Sequence, residues 1–122
     1  MVIWGLKADG SHGVMTVQDV EAFVVAKAGD GGKAWRANVR AAAGYIMGHN
    51  GVGDGSDLRH NSKVVRHSTH GAGASHVTVF FTTQGGEVAS IIGVGSHRNA
   101  GGAVYDLDWH TQGWKTGNVV NL

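Results

Sequence analysis

The chain has 122 residues, 42% hydrophobic and 16% charged, with a formal net charge of +1 and neither cysteine nor proline. That length suits a single domain, 1–122, able to bury a core without cross-links; the composition excludes a disordered chain, disulfides and thiolate metal sites, and so small a charge implies no strong cationic field. Apolar runs such as AFVVAKA and ASIIGVG are far too short to span a bilayer, so no membrane contact is expected, and MVIWGLKADGSHG lacks the basic start and apolar stretch of a secretory signal.

Residues 1–15 are ambiguous between a short strand at VIW and an ordered arm. Thr16 is placed as a helix N-cap, with Asp19 in the capping-box position. Val17, Val20, Phe23 and Val24 follow at helical spacing, and GDGG ends the segment at Gly29. A second helix is predicted from Lys33 to Met47, with Trp35, Val39, Ala42, Ala43 and Ile46 as its apolar stripe. Lys33, Arg36 and Arg40 share another face, either a solvated surface or a track for phosphates or for an acidic partner segment. GHNGVGDGSDLRHNS reads as a long polar loop, a candidate lid. It has no phosphate-loop frame around Lys63, and Asp54 and Asp57 lack calcium-loop spacing.

After Ser62 the period changes. KVVRHSTH is a strand candidate. HVTVFFTT alternates, with Val77, Val79 and Phe81 on one side and His76, Thr78, Phe80 and Thr82 on the other. QGG is a hairpin turn, EVASIIGVG the return strand, and AVYDLDW a fourth strand. The polar tail from His110 is a further short strand or an arm. The expected fold is α+β: two N-terminal helices packed on a four-stranded antiparallel sheet.

That element order, and the stretch HVTVFFTTQGGEVASIIGVGSHRNAGGAVYDL with its VGSHR corner and later tyrosine, resembles the RelE-like ribonuclease toxins and the wider barnase–colicin–RelE superfamily. The resemblance implies a RelE/barnase-like fold and RNA cleavage. It puts Lys63, Arg66, His67 and His76 in the basic places of the first two strands, His97 or Arg98 at the cation after the third, and Tyr105 at the later aromatic. The long glycine-rich loop, the histidines standing where lysine and arginine are usual, and the low net charge depart from the family pattern. The last two favour attack on free RNA over ribosome docking.

The residues suit this chemistry on their own terms. A 2′-hydroxyl attacks the neighbouring phosphorus, a base takes its proton, an acid protonates the departing 5′-oxygen, and a cation meets the phosphate charge. Histidine, with a reference pKa of about 6.5, suits the proton transfers, and arginine's planar fork suits the phosphate. If the end of the first strand and the corner after the third share one sheet edge, His67 and His97 become the proton carriers. Arg66 and Arg98 then hold phosphate, and Tyr105 orients a hydroxyl or stacks a base. Arg59, Lys63, His70 and His76 complete the expected RNA contacts.

Two other readings stand beside this one. His67, His70 and His76 offer three imidazoles to a catalytic metal, but they span a strand end and a GAGAS loop, and their odd separation sends His67 and His70 to opposite strand faces. A metal-binding hydrolase is therefore the alternative, with no metal and no cofactor as the expectation. A small protein-binding module is the non-enzymatic alternative. No G-x-S-x-G elbow supports a serine nucleophile among Ser68, Ser90 and Ser96, and Asp106 with Asp108 is the sole suggestion of a carboxylate pair. The expected partners are RNA and an acidic antitoxin or immunity protein. The site of action is the cytoplasm, reached either as a toxin–antitoxin component or as the C-terminal domain of a secreted toxin.

Overall fold

A computed structural model describes residues 1–49, 58–60, 63–84, 87–95 and 120–121. The chain opens with a hairpin, β1 (Val2–Leu6) and β2 (His12–Met15). Asp9 closes it, its carboxylate accepting from Ser11 N at 2.9 Å and Ser11 Oγ at 2.6 Å, beside Gly10 at φ 90°. Two helices follow, α1 (Val17–Ala28) and α2 (Lys33–Gly48). Then come β3 (Leu58–His60), β4 (Lys63–His70), a 3-10 turn at Gly73–Ser75, β5 (Val77–Gln84), β6 (Val88–Gly95) and β7 (Val120–Asn121).

The α+β class holds, with two helices against a sheet, but the sheet differs from the expected antiparallel four. It has seven strands in the order β2-β1-β6-β5-β4-β3, with β7 also on β6. It is mixed: β1 runs parallel to β6, pairing Val2 with Val88 and Ile3 with Ala89. β1 and β7 share one edge of β6, since β7 pairs Val120 with Val94 and Asn121 with Gly93. The helices are therefore not the chain's first elements. VIW is a strand because its β-branched and aromatic residues meet both the hairpin partner and the open edge of β6. The polar loop is also interrupted, since Leu58–His60 pairs antiparallel with β4. AVYDLDW lies outside the described residues.

Local chemistry sets the helices. Thr16 Oγ1 accepts from Asp19 N at 3.1 Å, and Asp19 Oδ2 accepts from Thr16 N at 2.9 Å, a reciprocal capping box. These contacts, with Lys7 nearby, hold the Asp19 carboxyl below its ordinary pKa. Gly29 ends α1 at φ 93°. The basic stripe of α2 is largely committed: Arg36 Nη1 meets Asp30 Oδ2 at 2.6 Å and Arg40 pairs with Glu21 of α1.

The helices cover one face of the sheet. Val20, Phe23 and Val24 of α1 and Val39, Ala42, Ala43 and Ile46 of α2 pack on Ile3, Met15, Val77, Val79, Phe81, Ala89 and Val94. Each large side chain buried this way contributes roughly 1.5–3 kcal/mol. A register shift at Phe80/Phe81, which pair with Gly93 and Ile91, takes up one extra residue in β6. Because of it, Ala89, Ile91 and Val94 can all face the helices. The far face is buried too: Thr78 and Phe80 are both 0% exposed.

Candidate functional site

β4 carries the residues of the RHSTH stretch, and its register with β5 fixes where each one faces. Arg66 pairs with Phe81, Ser68 with Val79 and His70 with Val77, all core residues of the helix face. His67 pairs with Phe80 and Thr69 with Thr78, on the far face. His67 is buried, its ring 6.2 Å from that of Phe80. Thr69 Oγ1 and Thr78 Oγ1 are 2.8 Å apart.

Strand alternation therefore divides the expected constellation. Arg66 and His67, assigned together to one phosphate site, stand on opposite faces of β4, as adjacent strand residues must. His67 and His70 are also on opposite faces, so the three imidazoles of this stretch do not converge. Among the described residues no group of three metal-ligating side chains could hold an ion.

On the helix face, His70 meets α2. Its ring lies 5.7 Å from that of Tyr45, and His49 stacks on Tyr45 at 3.7 Å with the planes 13° apart. His49 Nδ1 is 2.9 Å from the Tyr45 carbonyl oxygen; since a carbonyl only accepts, Nδ1 carries the proton and Nε2 the lone pair. Tyr45 and His49 stand one helical turn apart in the sequence, at the end of a helix that runs to Gly48 rather than Met47. Ser68 Oγ and His70 Nε2 are buried with no hydrogen-bond partner among the described residues. Each is a desolvated polar group, of a kind that usually marks a water or a functional role.

The turn between β4 and β5 positions His76. Asn38 of α2 donates to the Ser75 carbonyl at 2.9 Å and packs on Gly71, which adopts φ 87°. His76 Nδ1 donates to the Gly73 carbonyl at 2.7 Å, so its basic nitrogen is Nε2, which is buried and unpartnered among the described residues. A backbone carbonyl that fixes the tautomer in this way is the second-shell arrangement of both general bases and metal ligands.

The strand ends meet at one end of the sheet. Thr69 pairs with Thr78 and Thr78 with Gly95, a row crossing β4, β5 and β6. RHSTH ends at this row's first strand, and VGSHR runs on from its last. His97, Arg98 and Tyr105 themselves lie outside the described residues. Lys63 starts β4 opposite His60, and Arg59 pairs with Val64 at the outer edge of the sheet, away from that row. From Lys63 to Gln84 the sequence has Lys63, Arg66 and three histidines but no carboxylate, so this part of the sheet has no acidic side chain of its own to offset its cations. Compared with known proteins, the chain matches no family model, no curated protein and no solved structure. No helix among the described residues is long and apolar enough to cross a membrane.

Proposed function

We propose that the protein is a metal-independent endoribonuclease of the RelE/barnase-like kind. The observation that carries this reading is the row Thr69–Thr78–Gly95, which brings the strand end bearing the RHSTH histidines beside the strand end from which VGSHR continues. His76, with its tautomer set by Gly73, joins His67 and His97 as a proton carrier. An imidazole base takes the 2′-hydroxyl proton as that oxygen attacks phosphorus, and an imidazolium donates to the departing 5′-oxygen. Because Arg66 and His70 stand on the face of β4 opposite His67, we give the phosphate of the His67 reaction to Arg98, and Arg66 a flanking role beside His70. Tyr105 orients the nucleophile or stacks a base. Lys63, His70 and Arg59 serve as flanking RNA contacts.

A cytoplasmic RNA substrate follows from this chemistry, as does an acidic antitoxin or immunity protein covering the cationic strand end. Nε2 of both His70 and His76 is shielded from bulk water, so substrate reaches either ring only when neighbouring side chains part. The test is cleavage of single-stranded RNA in excess EDTA by the parent and by His67→Ala, His76→Ala and His97→Ala. Each essential proton carrier removed is expected to cost ~10²–10⁴-fold in rate. Activity abolished by chelator would support a metal-dependent hydrolase. Absence of cleavage on messenger, transfer and ribosomal RNA would support a protein-binding module.

A further inference from the structure

A second feature lies far from the histidines. Where the β1–β2 hairpin meets the last turns of α1, a cleft of about 220 Å³ opens, lined by Trp4, Gly5, Leu6, Met15, Phe23, Lys27 and Ile91. We propose that it is a binding site for a small amphiphilic anion, a carboxylate with an unbranched or aryl apolar body.

Gly5 of β1 and Met15 of β2 line it side by side. A Cβ at Gly5 would lie 3.3 Å from Met15 Sδ, so the glycine leaves the Met15 side chain its place in the wall. The walls are apolar, and no carboxylate lines the cleft. The single charge is Lys27, its ammonium 5.9 Å from the centre of the Phe23 ring. Elsewhere Lys7 faces Asp19 at 3.8 Å, Arg36 pairs with Asp30 and Arg40 with Glu21. Lys27 has no ion pair among the described residues. A cation near a helix C-terminus is favoured by the dipole alone, but that does not account for the apolar hollow beside it. An occupant that fills the hollow and offers Lys27 a negative end matches both the lining and the charge.

The size sets the ligand class. Since about 150 Å³ of apolar cavity accommodates benzene, this cleft has room for roughly eight or nine heavy atoms. That corresponds to a body of about six to eight carbons with its carboxylate at the mouth. A free short-chain acid would bind through this chemistry, and so would an apolar side chain beside a carboxylate in a peptide. The free acid is the occupant proposed, because about 220 Å³ holds a body of that size and Lys27 is the one charge in the lining.

The experiment is an amide-resolved NMR titration of the full chain with butanoate, pentanoate and hexanoate, and with 1-hexanol as the uncharged control. Saturable shifts are expected at Gly5, Leu6, Met15 and Ile91, with affinity rising about fourfold per added methylene. Hexanoate should bind at least threefold more tightly than hexanol in the parent. Lys27→Gln should erase that difference while leaving hexanol binding in place. Gly5→Ala, tolerated by the backbone because φ there is ordinary, should weaken all ligands several-fold. The proposal is overturned by non-saturating shifts, by equal affinity for acid and alcohol in the parent, or by an acid preference that survives Lys27→Gln. Lys27 is exposed, so its replacement does not threaten the fold.

Discussion

His67 and His70, on the same strand and within one short motif, lie on opposite faces of the sheet: the first beside Phe80, the second beside Tyr45 of α2. β4 lies between them, so the two substitutions should act independently. His67→Ala, His70→Ala and the double variant should give unfolding free energies that add to within about 0.5 kcal/mol, measured by urea denaturation. A coupling well beyond that, or a rise in Tm on adding zinc that depends on both rings, would place them in one site after all.

Phe80 and Phe81 are neighbours on β5, both fully buried, but only Phe81 belongs to the cluster under the helices. If the far face is a packed surface in its own right, Phe80→Ala should destabilise the protein about as much as Phe81→Ala. For each the expected loss is about 3–5 kcal/mol. A cost below ~1 kcal/mol for Phe80→Ala would show that face to be loosely covered.

The β4–β5 turn gives an internal control on backbone strain. Gly71 and Gly73 both have positive φ, 87° and 61°. At Gly71 an added Cβ would sit 2.2 Å from Asn38 Nδ2, whereas at Gly73 it meets nothing within 4 Å. Both alanine variants carry the left-handed penalty of about 1 kcal/mol. Gly71→Ala should cost clearly more, because Asn38 must leave the Ser75 carbonyl. Adding Asn38→Ala should recover part of that excess, read by thermal denaturation.

The described carboxylates with perturbed acidity act at element boundaries. Thr16→Ala removes the α1 cap and should cost about 1 kcal/mol. The pKa of Asp19 is lowered chiefly by the Thr16 amide, that of Asp30 by Arg36, and that of Asp9 by the Ser11 hydroxyl. A carboxylate with a folded-state pKa below its unfolded value stabilises the fold fully above that unfolded value, about 3.9, and loses its contribution as pH falls through the folded one. Asp19→Asn and Asp30→Asn should therefore lower Tm at pH 7, with the gap from the parent closing on acidification below about pH 4. An undiminished gap at pH 2.5 would mean that the charge is not what matters at these positions.

Much of this architecture was legible because local signals agreed with tertiary ones. The Thr16–Asp19 box and the glycine at position 29 mark α1, and the alanine-rich stripe of α2 fits its burial against α1 and the sheet. The strand candidate KVVRHSTH became β4 at its expected bounds, 63–70, and the alternating run at 76–83 became β5 one residue further on, Val77–Gln84. The parallel docking of β1 was not legible, since Val2 and Ile3 find Val88 and Ala89 across nearly the whole chain and nothing local encodes that choice. Leu58–His60 is too short for alternation to show, and it sits among turn formers. Thr78 reads as a solvent residue from its type, yet it is buried, because a threonine hydroxyl can be satisfied by its cross-strand partner Thr69. The partition of Arg66 from His67 follows from strand parity, the same rule that separates His67 from His70. The pinned tautomer of His76 depends on a turn geometry that GAGAS permits but does not dictate.

The placement of β1 has a consequence for how the protein is made. Within this chain β1 is made before Val88 and Ala89, so its place beside β6 is filled only after the strands that follow it, and order of synthesis and order of assembly run opposite ways. Val2, Trp4 and Val14, the large apolar residues exposed in the finished fold among those described, stay in contact with water throughout that interval. Afterwards the same strand acts as a clasp on the flank of β6. Loss of β1 would therefore do more than remove a strand: it would uncap a length of apolar strand and leave it open to pairing with another molecule.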